Sequence, residues 1–230
     1  MSAAPTVEVD LYIWTLDVDA DERARLSAHL SDDETARAAR FVFEHDRNRF
    51  IAARGRMREI LARAVKRPPS DLKFSYSAHG KPSLGSNPLR FNLSHSNAIA
   101  ALVATRDYEI GVDVEHVRPL KEDVAGRFFS PRENAVLRAL PEREQLGGFY
   151  RCWTRKEAIV KAIGEGLSHP LDSFDVSLKA GDTAIVERFE ADDDAKQAWR
   201  LMHFEPAPDY VGAVACRTGG AAIEVRRRRP

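Results

Sequence analysis

The chain has 230 residues, 43 % of them hydrophobic and 30 % charged, with 35 basic side chains against 35 acidic ones. That length holds one large domain or two small ones with a sizeable core, and zero formal net charge argues against a protein devoted to nucleic acid or to an anionic membrane. Cys152 and Cys216, far apart in sequence, do not make a disulfide framework. With no charged start or apolar run at Met1–Pro5, and no stretch near the ~20 apolar residues that span a bilayer, the expectation is a reduced, cytoplasmic protein.

Val7 to Leu16 is apolar and rich in β-branched and aromatic residues, which predicts a strand. Asp21 to Leu30, Asp32 to Arg40 and Asp46 to Val65 carry helical spacing, and Pro68-Pro69 ends the last of these. Short strands follow at Leu72 to Ser77, Phe91 to Leu93 and Ile99 to Thr105, with a turn at Gly80-Lys81-Pro82. After the polar stretch Arg106 to Glu109, Ile110 to Glu115 predicts another strand.

Ser130-Pro131-Arg132-Glu133 reads as a helix start: Ser130 caps, Pro131 has no N–H to lose, and Glu133 bonds back to Ser130. A further helix runs from about Phe149 to Ile163 and stops at Gly164. Strands at Ser173 to Leu178, Ala184 to Phe189, Trp199 to Phe204 and Tyr210 to Cys216 complete the chain, with a turn at Ala180-Gly181-Asp182. Arg226 to Arg229 reads as a frayed, solvated tail. Strand, helices, strands therefore occur twice, which predicts an α+β fold of two similar lobes, 1–108 and 109–230, joined near Arg106 to Glu109. Ligand sites favour such joins.

Ile110-Gly111-Val112-Asp113-Val114-Glu115 alternates strictly. Ile110, Val112 and Val114 share one face; Gly111, Asp113 and Glu115 share the other, with the two carboxylates about 6.5–7 Å apart at Cα. Two anions so placed suit a hard divalent cation, or simply form a solvated edge. Trp153, Glu157 and Lys161 fall on one helix stripe, either a third ligand and a phosphate-binding ammonium or an ordinary ion pair beside a core tryptophan. Phe91-Asn92-Leu93-Ser94-His95-Ser96 ends a strand in groups that donate to phosphate, and Lys81 sits on a tight turn. The other histidines lack metal-ligand spacing of the H-E-x-x-H kind, and no glycine-rich phosphate loop is visible.

These pieces together resemble the 4'-phosphopantetheinyl transferases of the larger, two-lobed kind that activates peptide synthetases. The resemblance rests on Gly80-Lys81-Pro82, Phe91 to Ser96, Gly111 to Glu115, Arg127-Phe128-Phe129-Ser130 with Glu133, and Trp153 to Ala158 with Lys161. Gly164-Glu165-Gly166-Leu167 and Leu171-Asp172-Ser173-Phe174 extend it, over roughly Asp32 to Val176.

The resemblance implies a pseudo-dimeric fold with coenzyme A, the substrate, in the cleft between the lobes. Asp113, Glu115 and Glu157 would hold Mg²⁺, with Mn²⁺ an alternative, and Lys161 would neutralise the pyrophosphate. Ser94, His95 and Lys81 would bind phosphates, Arg49 the adenine-nucleotide end, and Arg37 a phosphate. The lysine pair familiar from the family is not reproduced; Glu34 and Arg37 stand in its region. Asp113, Glu157 and Lys161 would be catalytic, with Glu157 the general base.

The partner implied is an apo acyl or peptidyl carrier protein, received near Arg127 to Arg132, and the expected enzyme is a monomer without nucleic-acid or membrane partners. Two other readings compete. One is a coenzyme A or carrier-binding module without chemistry. The other is a metal-dependent 3'-5' exonuclease, in which an Asp-x-Glu strand typically opens the fold instead of lying mid-chain.

Overall fold

A computed structural model describes residues 6–120, 122–190 and 195–230; Met1–Pro5, inspected above for a leader, lies outside the described residues. In chain order the elements are β1 (Thr6–Thr15), α1 (Ala20–Ser27), α2 (Asp32–Ala38), α3 (Glu44–Val65), β2 (Ser75–Tyr76), β3 (Pro82–Ser83), β4 (Leu89–Ser96), β5 (Ile99–Arg106) and β6 (Glu109–His116). There follow α4 (Val124–Phe128), α5 (Pro131–Arg138), α6 (Glu142–Ile163), β7 (Phe174–Val176), β8 (Val186–Phe189), α7 (Ala195–Ala198), β9 (Trp199–Phe204), β10 (Tyr210–Arg217) and β11 (Ala222–Arg228). The mixture is α+β, as expected.

Strand alternation sets the layers. In β5, Ala100, Leu102 and Ala104 share a core with Ala53, Met57 and Ile60 of α3. Ala101 and Val103, on its other face, pack against Ile110, Val112 and Val114 of β6 and Val214 of β10. Beyond that second sheet, Ala213 and Ala215 of β10 join Ala158, Ile159 and Ala162 of α6. The order is thus α3, the sheet β11-β1-β5-β4, the sheet β6-β10-β9, and α6.

The helix starts follow the sequence. Asp19 caps α1, and Ser130 and Glu133 form the expected reciprocal cap of α5. Gly164, at φ 85°, ends α6 in the left-handed conformation that glycine tolerates.

Two expectations change. Helix α6 begins at Glu142, about two turns before the expected start at Phe149. The tail is not a frayed end: β11 pairs in parallel with β1 from Thr6↔Ala222 to Tyr12↔Arg228. Ile223 and Val225 pack on the inter-sheet core, while Arg226 pairs with Glu8 and Arg228 with Asp10. The alternation of Ile223 and Val225 with charged residues supplies a half-buried edge strand.

Strand β6 has β10 on one side only. On the other, Val112, Val114 and His116 donate their backbone N–H groups to side chains of β4: Asn92 Oδ1 at 2.9 Å, Ser94 Oγ at 3.3 Å and Ser96 Oγ at 3.1 Å. Residues 92, 94 and 96 lie on one face of β4, so a period-two ladder of side chains replaces backbone pairing and ties the two sheets together.

Candidate active site

The site forms where α6 crosses β6. An added Cβ at Gly111 would lie 2.0 Å from the Ala158 carbonyl oxygen and 2.5 Å from the Ala162 nitrogen. The backbone of α6 therefore rests directly on Gly111. This contact sets Glu157 and Lys161 of α6 over Asp113 and Glu115, which follow Gly111 on the same face of β6.

Asp113 is 2 % exposed, so the solvated-edge alternative does not hold. Its Oδ1 accepts from Lys161 Nζ at 2.5 Å and from Ser94 Oγ at 3.0 Å. The within-helix pair of Glu157 with Lys161 does not form; Lys161 reaches across to the strand instead. Glu115 Oε2 accepts from Ser96 Oγ at 2.8 Å. Asp113 Oδ2 and Glu157 Oε1 are buried without any donor. Burial first, and then the Asp113 charge, push the carboxyls of Glu115 and Glu157 above their ordinary range, with Lys161 opposing.

Three carboxylates thus face one ammonium. Among the described residues no three His, Cys, Asp or Glu side chains already stand in metal-ligating positions, because Asp113 is turned to Lys161. The donor chemistry nevertheless fits a hard divalent cation: all-oxygen ligands, two buried oxygens without donors, and mutual repulsion that a cation relieves.

The remaining expected site residues divide. Ser94 joins the acidic cluster, bonded to both Asp113 and Lys161. His95, at the end of the β4 face that turns Phe91 and Leu93 to α3, is exposed, and partial desolvation followed by the Lys161 and Arg37 charges push its imidazole below the usual range. Lys161 and the exposed Arg37, whose guanidinium lies over the Phe50 ring, therefore bring positive charge to the region of His95.

Arg49 is held by both oxygens of Asp17, at 2.7 and 3.0 Å, and by Asn97 at 2.8 Å. Lys81 is not beside the metal-type carboxylates. Its Nζ donates to Glu109 at 2.7 Å and to the Ala162 carbonyl at 2.6 Å, four residues along β6 from Asp113, or about 13 Å at strand spacing. It caps the C-terminus of α6, where a cation is favoured.

Two structural roles escaped the sequence reading, though the residues stood in its motifs. Asn92 and Ser96 complete the ladder that holds β6. Lys156, 0 % exposed, pairs with Glu133 at 2.9 Å, donates to the Leu171 carbonyl at 2.6 Å and also to that of Phe174. Glu133 accepts in turn from the backbone of Ser130 and Val176. This buried pair fixes α6 against α5 and β7, and so fixes Glu157 one residue on. Trp153 stacks on Phe149 at 5.9 Å and lines a cavity of about 410 Å³ together with Glu115, Arg118, Val124 and Tyr150.

Comparison with known proteins matches two family models. One, described as the 4'-phosphopantetheinyl transferase superfamily, covers residues 109–215. The other, described as 4'-phosphopantetheinyl transferase, N-terminal, covers residues 18–107. Among curated proteins, the chain is 38 % identical to the 4'-phosphopantetheinyl transferase HetI of Nostoc sp., over 90 % of this chain and 87 % of that one. It is 32 % identical to the 4'-phosphopantetheinyl transferase Sfp of Bacillus subtilis, over 84 % and 85 %. It is also 29 % identical to the human L-aminoadipate-semialdehyde dehydrogenase-phosphopantetheinyl transferase, over 82 % and 67 %.

Proposed function

The chain belongs to the 4'-phosphopantetheinyl transferase superfamily, and on that premise we propose that it moves the phosphopantetheine arm of coenzyme A to a serine of an apo acyl or peptidyl carrier protein. The observation that carries this reading is the meeting of Asp113 and Glu115 on β6 with Glu157 and Lys161 on α6, two of whose carboxylate oxygens are buried without donors.

Asp113, Glu115 and Glu157 would hold the divalent ion, Mg²⁺ or Mn²⁺. When bound it supplies Lewis-acid polarisation of the pyrophosphate and a template for it. The serine hydroxyl attacks the phosphorus bearing the pantetheine arm, and the bond from that phosphorus to the oxygen of 3',5'-ADP breaks. The hydroxyl proton passes to Glu157, the general base of this reading. Lys161 stabilises charge that builds on the leaving 3',5'-ADP, and in doing so exchanges Asp113 for phosphate oxygen. His95 and Arg37, which share the region of Lys161, take further phosphate oxygens, and Ser94 holds Asp113 and Lys161 in register.

Arg49 would serve the adenine-nucleotide end once released from Asp17, and Lys81 a phosphate once released from Glu109 and Ala162. The lobes would divide near Arg106 to Glu109, with β11 returning to the sheet of β1, a division supported by the abutting family matches at 18–107 and 109–215. One chain then supplies both walls of the cleft and acts as a monomer. The carrier docks near the exposed Arg127, which lies over Phe128; Arg132 is engaged by Glu187 at 3.0 Å. The release of 3',5'-ADP, followed by chromatography, tests the reaction: it should require carrier, coenzyme A and Mg²⁺ together. Tight coenzyme A binding without release on any carrier would replace the enzyme with a binding module.

A further inference from the structure

On the face of α6 turned away from the active site, two arginines meet without an anion. Arg155 is 1 % exposed. Its Nη1 donates to the Ser177 carbonyl at 2.5 Å and to Ser177 Oγ at 3.0 Å. Its Nε is buried with no partner, and Nη2 has no hydrogen bond among the described residues. The edge that makes no hydrogen bond is the Nε–Nη2 fork, the side of a guanidinium that matches two oxygens of one oxoanion.

Arg151, one helical turn earlier, uses only its Nε, on the Leu178 carbonyl at 2.8 Å. From β9, His203 faces the same layer, opposite Ala213. Its Nδ1 is also buried without a partner. Asp182, Glu144 and Glu205 lie near these arginines, yet none forms an ion pair with either guanidinium among the described residues; Glu205 instead stands 3.6 Å from His203 Nε2, leaving Nδ1 free of it. A buried guanidinium bonded only to neutral groups is costly unless a counter-charge is supplied.

We propose that Arg155, Arg151 and His203 form a binding site for a small oxoanion of the phosphate or sulfate type. The oxoanion takes the Nε–Nη2 fork of Arg155 with two oxygens, Arg151 contributes a second guanidinium, and His203 donates from Nδ1 when that nitrogen is protonated. The site lies between α6, β9 and the Ser177–Leu178 segment. It is separate from the Lys161, His95 and Arg37 region and does not depend on the transferase reading. Bound anion joins the middle of α6 to β9 and holds the helix that carries Glu157.

Equilibrium dialysis of the full chain against labelled sulfate, at constant ionic strength in chloride, tests this. The parent should show saturable binding. Binding should survive the His95→Ala/Lys161→Ala double variant, which disables the phosphate region of the cleft. Arg155→Lys keeps the charge but loses the fork, and should weaken binding about tenfold or more. Arg151→Gln and His203→Ala should each weaken it less. Sulfate should also raise the melting temperature of the parent and of the double variant, but not that of Arg155→Lys. Saturable binding that disappears in the double variant and persists in Arg155→Lys overturns the proposal, as does an absence of saturable binding in the parent.

Discussion

Gly111→Ala probes how closely β6 and α6 must meet. The new Cβ would stand 2.0 Å from the Ala158 oxygen and 2.5 Å from the Ala162 nitrogen, so strand and helix must part by about 1 Å or more to regain a contact of 3.0 Å. Both obstructing atoms are backbone, and no side chain can swing aside. Overpacking of this kind costs about 1–3 kcal/mol, with the upper end applying here. For a chain of this size that lowers Tm by roughly 6–12 °C, at about 2–4 °C per kcal/mol. The same separation moves Glu157 and Lys161 away from Asp113 and Glu115, and a misplacement of about 1 Å costs on the order of 10²-fold in rate. Differential scanning calorimetry and carrier-modification rates measure the two effects. A variant that melts within about 2 °C of the parent and turns over normally would show that the contact does not set the site.

Further outcomes follow from the same geometry. Asp113→Asn and Lys161→Met should each lose about 10²–10³ in turnover with circular dichroism unchanged, since each removes a group that balances charge in the transition state. Lys156→Met strands the buried Glu133 charge and should cost about 3–5 kcal/mol in urea unfolding, with partial recovery in Lys156→Met/Glu133→Gln.

The raised carboxyls of Glu115 and Glu157 make a pH prediction. The folded chain holds these protons more tightly than the unfolded one, so the stability they contribute is present below about pH 4.5 and is lost as pH rises through their raised values. In EDTA, Glu157→Gln should match the parent below that window and exceed its Tm above it, and Mg²⁺ should raise Tm in the parent alone. Parallel curves for the two proteins across the window would contradict the charge crowding.

The carboxylates were readable because β-strand alternation places Asp113 and Glu115 on one face whatever the fold, and helical spacing joins Glu157 to Lys161. That both sets face one another depends on Gly111, whose role appears only when a helix backbone rests on it. The early start of α6 was hidden by Gly147-Gly148, a pair of poor helix formers. At Gly148 a Cβ would come within 2.6 Å of Leu140 Cδ1, so the helix packs closely on that leucine. The arginines of the tail masked the alternation of Ile223 and Val225, and a parallel partner more than two hundred residues away leaves no local mark. Asn92 and Ser96 looked like candidate ligands beside Ser94, yet they serve mainly to satisfy the open edge of β6. Lys156 and Glu157, neighbours in one motif, have opposite fates because a helix turns about 100° per residue: one enters the core and the other the site.

The most direct test of the central claim is the intact mass of apo carrier proteins after incubation with this protein, coenzyme A and Mg²⁺. The account predicts a gain of one phosphopantetheine on a single serine, abolished by chelator and by Asp113→Asn. A carrier whose mass stays unchanged under every condition, or one that gains the arm equally well with Asp113→Asn, would contradict it.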